Sequence, residues 1–199
     1  MFYYERKLEK QGFDLIIGVD EAGRGPLAGP VVAAAVTLPN YRFKNRIDDS
    51  KKLTAGLREK AYFEITSRAI FGIGIIDEKE IDRFNILAAT RLAMQQAISA
   101  LIDKLALGKN RIHIIVDGNM KLDIPYQYTS IVKGDTKSKS IASASILAKV
   151  TRDRIMEAYD LTYPQYNFKK HKGYPTKEHR QVLKEIGPSE IHRKSFSCV

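Results

Sequence analysis

Cysteine is almost absent from this chain: its 199 residues include one, Cys198. A single thiol excludes an internal disulfide framework and fits a reducing cytosol. Its penultimate position does not fit a prenylation signal. No apolar run approaches the length needed to cross a bilayer. The start, Met1-Phe2-Tyr3-Tyr4-Glu5-Arg6-Lys7, lacks the charged-then-apolar order of a signal peptide. Histidine is scarce, at four, and His171, His179 and His192 lack the spacing of metal ligands. There is no internal repeat and no low-complexity linker. These absences lead to the expectation of a cytoplasmic chain without membrane contact.

At 44% hydrophobic residues the chain can bury a core, and its length suits one domain. Apolar runs mark strands at Asp14 to Asp20, Pro30 to Leu38, Ile70 to Ile76, Ile112 to Val116 and Thr129 to Lys133. Three alanines leave the second open to a helical reading; Pro39-Asn40 stop it. Helical spacing runs from a Thr54 cap to about Ala69 and from Glu78 to about Leu107, breaking near Phe84-Asn85 and ending at Gly108. It resumes from Ser138 to about Tyr159 and from Thr176 to Ile186. The expectation is an α/β fold with a mixed five-stranded sheet flanked by helices. Residues 1–160 form its core, and 161–199 a small C-terminal helical extension packed on it within one functional domain. The last dozen residues look weakly ordered and receive no role.

Lysine and arginine outnumber acids 33 to 23, a net charge of +10. The excess is uneven: residues 133–199 hold 14 basic residues against 7 acidic, leaving 19 against 16 in residues 1–132. A basic surface favours nucleic acid, although a plain solubility charge would look similar.

Against that background, three strands end in acid: the first in the pair Asp20-Glu21, the others in Asp117 and Asp135. Ligands of open α/β sheets gather at the carboxyl ends of strands. Four carboxylates meeting there would repel one another unless divalent cations neutralised them. Oxygen donors without histidine or cysteine select Mg²⁺ or Mn²⁺ over Zn²⁺. Two such ions, about 3.5–4 Å apart, serve phosphodiester hydrolysis, with Asp20 the expected shared ligand. Any one of these acids alone reads better as a turn or helix cap. Because adjacent strand residues face opposite ways, either the strand ends at Asp20 or Glu21 acts partly through its carbonyl.

Five ordered blocks extend the pattern. Gly18-Val19-Asp20-Glu21-Ala22-Gly23-Arg24-Gly25-Pro26-Leu27-Ala28-Gly29-Pro30 opens the first, which runs to Val36. Asp49-Ser50-Lys51-Lys52-Leu53-Thr54, Val116-Asp117-Gly118, Lys133-Gly134-Asp135 continuing to Asp153, and His171-Lys172-Gly173-Tyr174-Pro175-Thr176 follow. From about residue 14 to about 186 the chain resembles the type 2 ribonuclease H family, specifically bacterial ribonuclease HII. The resemblance implies a ribonuclease H-like fold. It also implies an endonuclease acting on RNA–DNA hybrids and on duplex DNA containing ribonucleotides, cutting 5′ of the ribonucleotide and leaving a 3′-hydroxyl and a 5′-phosphate. Asp20, Glu21, Asp117 and Asp135 match the catalytic, metal-binding acids. Gly23, Arg24 and Gly25 match the motif for the phosphate and 2′-hydroxyl at the RNA–DNA junction, and Tyr174 the tyrosine that stacks on the next sugar. Ser50, Lys51 and Lys52 become phosphate contacts, and Lys169, Lys170, His171 and Lys172 suit backbone contacts. The sibling ribonuclease HIII typically carries an added N-terminal domain and a lysine at the position of Arg24; neither is here. A monomer is the default expectation.

Without the resemblance, Tyr174 reads equally well as packing, Arg24 as a surface turn residue and Ser50-Lys51-Lys52 as a solvated loop. A junction resolvase of the same fold would lack the glycine-arginine-glycine turn. A non-catalytic nucleic-acid binder leaves the acids unexplained. A dinucleotide-binding oxidoreductase would need a helix after Gly23-x-Gly25-x-x-x-Gly29, where Pro30 to Pro39 reads as a strand.

Overall fold

β-rich segments between helical stretches form one sheet. In the computed structural model, which describes residues 1–39, 42–105 and 111–197, the strands are β1 (Leu15–Ala22), β2 (Val31–Thr37), β3 (Ile70–Ile76), β4 (Ile112–Asp117) and β5 (Gln127–Ile131). Their spatial order is β3-β2-β1-β4-β5. β2 runs antiparallel to β1 and β3, whereas β1, β4 and β5 are mutually parallel. This is the expected mixed sheet, and it brings the carboxyl ends of β1, β4 and β5 to one edge. The glycine-rich turn leads into β2, not into a helix, which removes the dinucleotide fingerprint and settles the alanine-rich segment as a strand.

The helices are α1 (Tyr3–Lys10), α2 (Ala55–Arg68), α3 (Glu78–Phe84), α4 (Ile86–Ile102), α5 (Lys139–Thr162), α6 (Phe168–His171) and α7 (Lys177–Ile186). Hydroxyl side chains start three of them. Thr54 Oγ1 accepts from the Leu57 N–H at 3.4 Å, Ser138 Oγ from Ile141 at 3.1 Å and Thr176 Oγ1 from His179 at 3.2 Å, each satisfying a donor left over by the helix. Asn85, at φ 72°, breaks the long helical run as expected and caps α4 by accepting from the Leu87 and Ala88 N–H groups. α4 closes at Ile102; the expected end at Leu107-Gly108 lies outside the described residues, as do Asn40 and Cys198.

β1 alternates between two packed layers. Ile17 and Val19 join the α4 face with Met94, Ala97 and Leu101. Ile16 lies among Ile115, Ile131 and Ile141 on the α5 face. Gly18 lets α5 approach: a Cβ there would stand 2.3 Å from the Ile141 nitrogen. Asp20 and Asp117 share the strand parity of Ile16 and Ile115, so both face α5.

Three expectations change. β1 continues to Ala22, keeping both Asp20 and Glu21 in paired strand geometry opposite Ala34 and Ala33. β5 ends at Ile131, so Asp135 sits in a short helical turn, Gly134–Thr136, beyond a left-handed Lys133; it follows a strand without ending one. Within the described part of the last dozen residues, Ile191, His192 and Arg193 are buried, so this segment packs into the fold. α1 was not anticipated at all.

Candidate active site

Asp20, two residues before the end of β1, is 6% exposed. Its Oδ1 accepts the Glu21 N–H at 2.8 Å. Burial first, then the charges of Glu21 and Asp117, push its carboxyl well above the usual range, while the hydroxyl of Ser145 on α5 and the Glu21 N–H favour the charged form. Glu21 is raised chiefly by burial and opposed by Arg24, whose Nη1 meets Glu21 Oε1 at 3.2 Å. Asp135 is raised by burial and by Asp117 and Asp49, with Lys51 pulling the other way. Asp117 is therefore the charge that the other three acids share. Its Oδ1 accepts the Gly134 N–H at 2.6 Å, tying the end of β4 to the turn carrying Asp135.

Asp20, Glu21 and Asp117 line a cavity of about 210 Å³ together with Gly23, Arg24, Gly25, Ser50, Lys51, Ser145, Lys149 and Tyr174. A larger concavity of about 670 Å³ runs along α1 and contains no acid cluster. The sequence-predicted residues thus gather in one place, with two exceptions on the lining itself: Asp135 is coupled to it electrostatically through Asp117, and Lys52 lies off it. Ser50 is buried, its Oγ 3.0 Å from Ser145 Oγ, so it anchors the 49–53 segment to α5 as well as lining the wall.

The four acids fit a hard divalent cation by donor chemistry: carboxylate oxygens in mutual repulsion, with no sulfur or imidazole among them. As the side chains stand, no three His, Cys, Asp or Glu groups among the described residues are gathered to hold one ion. Arg24 engages Glu21 through Oε1 and the Gly134 amide engages Asp117 through Oδ1, which leaves the second oxygen of each carboxylate to offer a cation.

The two glycines of the Gly23-Arg24-Gly25 turn serve different purposes. Gly23 is buried at φ 102°, and a Cβ there would meet Arg152 Nε at 2.2 Å; the fold itself requires glycine. Gly25 is exposed at ordinary φ, and a Cβ would meet only Tyr174 Cε1 at 3.9 Å. Tyr174 is 40% exposed, facing that open backbone, with Lys149 Nζ and the Arg152 guanidinium 5.8 and 5.9 Å from its ring centre. It stands at the rim of the site rather than in the core.

Among the basic residues expected to meet backbone phosphates, His171 is buried, Lys170 pairs with Glu178 and Lys172 with Glu157. Lys149, missed as a site residue, is in the cavity and paired with Asp153 at 2.6 Å. Arg152 was missed too. It is fully buried and donates to the carbonyls of Ala28, Pro30 and Lys172. One local signal was available for both: they lie three residues apart within α5, a spacing that puts two side chains on one helix face.

A family model described as Ribonuclease HII matches residues 17–199. Curated relatives include Ribonuclease HII of Caldanaerobacter subterraneus subsp. tengcongensis, 53% identical over 98% of this chain and 79% of that protein. Ribonuclease HII of Acetivibrio thermocellus is 52% identical over 99% of this chain and 75% of that protein. Among solved structures, ribonuclease H2 from Pyrococcus horikoshii OT3 superposes with a TM-score of 0.71 at 26% identity, covering 92% of this chain and 94% of that one. The ribonuclease H-like sheet, the acids at its edge and these matches agree: the chain belongs to the ribonuclease HII family of endoribonucleases.

Proposed function

We propose that this chain hydrolyses the RNA strand of RNA–DNA hybrids and cuts 5′ of ribonucleotides embedded in duplex DNA, leaving a 3′-hydroxyl and a 5′-phosphate, and so serves ribonucleotide removal from DNA. The observation that carries the reading is one cavity with two unlike walls: Asp20, Glu21 and Asp117 on one side, and the exposed Gly25 backbone facing Tyr174 on the other. Asp20, Glu21, Asp117 and Asp135 would hold two Mg²⁺ or Mn²⁺ ions, with Asp20 shared. Bound there, the ions supply an acidified water and charge neutralisation at the leaving oxygen. Arg24, Lys51 and Lys149 add positive charge at the cavity for a scissile phosphate. The peptide groups of Gly23 to Gly25 offer donors and acceptors to a 2′-hydroxyl, the one group that separates RNA from DNA at a single nucleotide. The Tyr174 ring suits a flat deoxyribose on the next nucleotide and crowds a sugar bearing a 2′-hydroxyl.

The test is cleavage of a DNA duplex carrying one ribonucleotide, beside an RNA–DNA hybrid and an all-DNA duplex, with Mg²⁺, Mn²⁺ or a chelator. A metal-dependent cut 5′ of the ribonucleotide, absent from all-DNA, is expected. Asp20→Asn should abolish it while hybrid binding persists. Cutting of the hybrid alone would overturn the junction-reading role of the turn and of Tyr174; binding without cutting, indifferent to chelator, would overturn the enzyme reading.

A further inference from the structure

The C-terminal segment reaches both ribonucleotide-reading elements from behind. Arg193 is completely buried, and among the described residues its guanidinium makes no carboxylate ion pair. Its donors go to backbone carbonyls of the glycine-rich turn. Nη2 donates to Gly23 O at 2.6 Å, Gly29 O at 2.7 Å and Pro30 O at 3.2 Å; Nη1 to Pro26 O at 2.8 Å and Arg24 O at 3.2 Å; and Nε to Gly29 O at 2.9 Å. A buried charge is costly unless hydrogen-bonded, and here the fork geometry of arginine gathers five carbonyls of one turn around a single group. Backbone bonds reinforce it: Arg193 N–H to Leu27 O, Gly29 N–H to Ile191 O and Leu27 N–H to Gly173 O, each at 2.8 Å.

The neighbouring His192 leads to the other wall. Its Nδ1 accepts the Ser189 N–H at 2.9 Å, so the neutral ring carries its proton on Nε2. That proton is donated to His179 Nε2 at 2.9 Å, and His179 Nδ1–H donates to Tyr174 O at 3.0 Å. The chain runs in one direction from the tail to the backbone of Tyr174.

We propose that Ser189–Arg193 is a positioning element for ribonucleotide recognition: Arg193 fixes the Gly23–Pro30 turn, and His192, acting through His179, fixes Tyr174, so the tail sets the gap between turn and ring. This rests on the reading of Gly23, Gly25 and Tyr174 given above. Neither residue enters the cavity, so neither touches substrate.

The experiment compares wild type with Arg193→Lys and His192→Phe. Lysine keeps the charge but cannot bridge five carbonyls; phenylalanine keeps the ring among Tyr166 and Phe168 but ends the relay. Each variant is assayed on the single-ribonucleotide duplex and the RNA–DNA hybrid, and amide exchange is followed without substrate. Expected is a fall in kcat on the single ribonucleotide of about 10- to 100-fold, the scale of a small misplacement. KM should stay within about threefold and the hybrid should lose far less. Amides of residues 23–29 should exchange faster in Arg193→Lys, with those of β1 and β4 unchanged. Equal losses on both substrates, losses that follow Tm, or uniform acceleration of exchange would overturn the proposal. Wild type failing to cut the single ribonucleotide would overturn the functional reading instead, and amide exchange still decides the positioning.

Discussion

The two glycines of the Gly23-Arg24-Gly25 turn differ in what the fold asks of them. Gly23 needs its left-handed backbone and has Arg152 where a side chain would stand; Gly25 has neither constraint. Gly23→Ala should therefore destabilise by roughly 3 kcal/mol, from strain and overpacking together. Gly25→Ala should leave Tm within about 1 °C, because a surface substitution away from special backbone usually costs little. It should nonetheless lose on the order of 100-fold in cleavage at a single ribonucleotide, since the added methyl occupies the approach to the backbone. Thermal melts and single-turnover rates on both variants check this; a Gly25→Ala enzyme with full activity would remove the close-approach role. In the sequence the two glycines look alike. Their difference lies in Arg152, 129 positions downstream of Gly23, which no local pattern connects to the turn.

At the scale of elements, the strands carrying Asp20 and Asp117 and the helices capped by Thr54, Ser138 and Thr176 were legible because their signals are local: apolar runs ended by acids, and hydroxyls before helical spacing. The placement of Asp135 was not, because the strand before it, Gln127–Ile131, alternates weakly and is exposed along most of its length. α1 was missed for a different reason: its stability is tertiary. Glu5, 1% exposed, accepts from Ser138 Oγ at 2.7 Å, Ser140 Oγ at 2.9 Å and Ser140 N–H at 3.0 Å. It places a carboxylate at the start of α5, where the helix dipole favours negative charge. Because the same end of α5 abuts the Asp135 turn, α1 supports the site indirectly. Glu5→Ala should cost about 2 kcal/mol by stranding three donors, lowering Tm by roughly 4–8 °C. Glu5→Gln, which retains an acceptor, should lose about half as much. Equal Tm for wild type and Glu5→Ala would show α1 to be dispensable to α5.

Across the whole molecule, the segment around residue 191 closes on the glycine-rich turn and the C-terminal helices: Ile191 packs with Leu27, Ala28, Phe168 and Leu183, and three imidazoles are buried there in contact. His171 stacks on His179 at 4.3 Å between ring centres, and His179 bonds His192. Burial pushes all three below the ordinary histidine range, His192 to about 4. Around them stand the carbonyls of Tyr166 and Tyr174, the Ser189 amide, and the charges of Glu178, Asp160 and Lys170 near His171. The unfolded chain takes up protons near pH 6.5 that the folded tail refuses, so from pH 7 down to about 4 the unfolded state binds more protons and stability falls. The raised carboxyls of Asp20, Glu21, Asp135 and Glu78 work in the opposite sense, since each is easier to fold when protonated. Subtracting one melt series from another isolates the tail: between pH 7 and 5, wild type should lose more Tm than His192→Phe, which has one fewer neutral imidazole to protonate. Parallel curves would mean that the histidines do not couple the tail to pH. A difference confined to this range would identify the Ser189–His192–His179–Tyr174 chain as the part of the molecule that acid loosens first, and cleavage at a single ribonucleotide should then decline before cleavage of the hybrid.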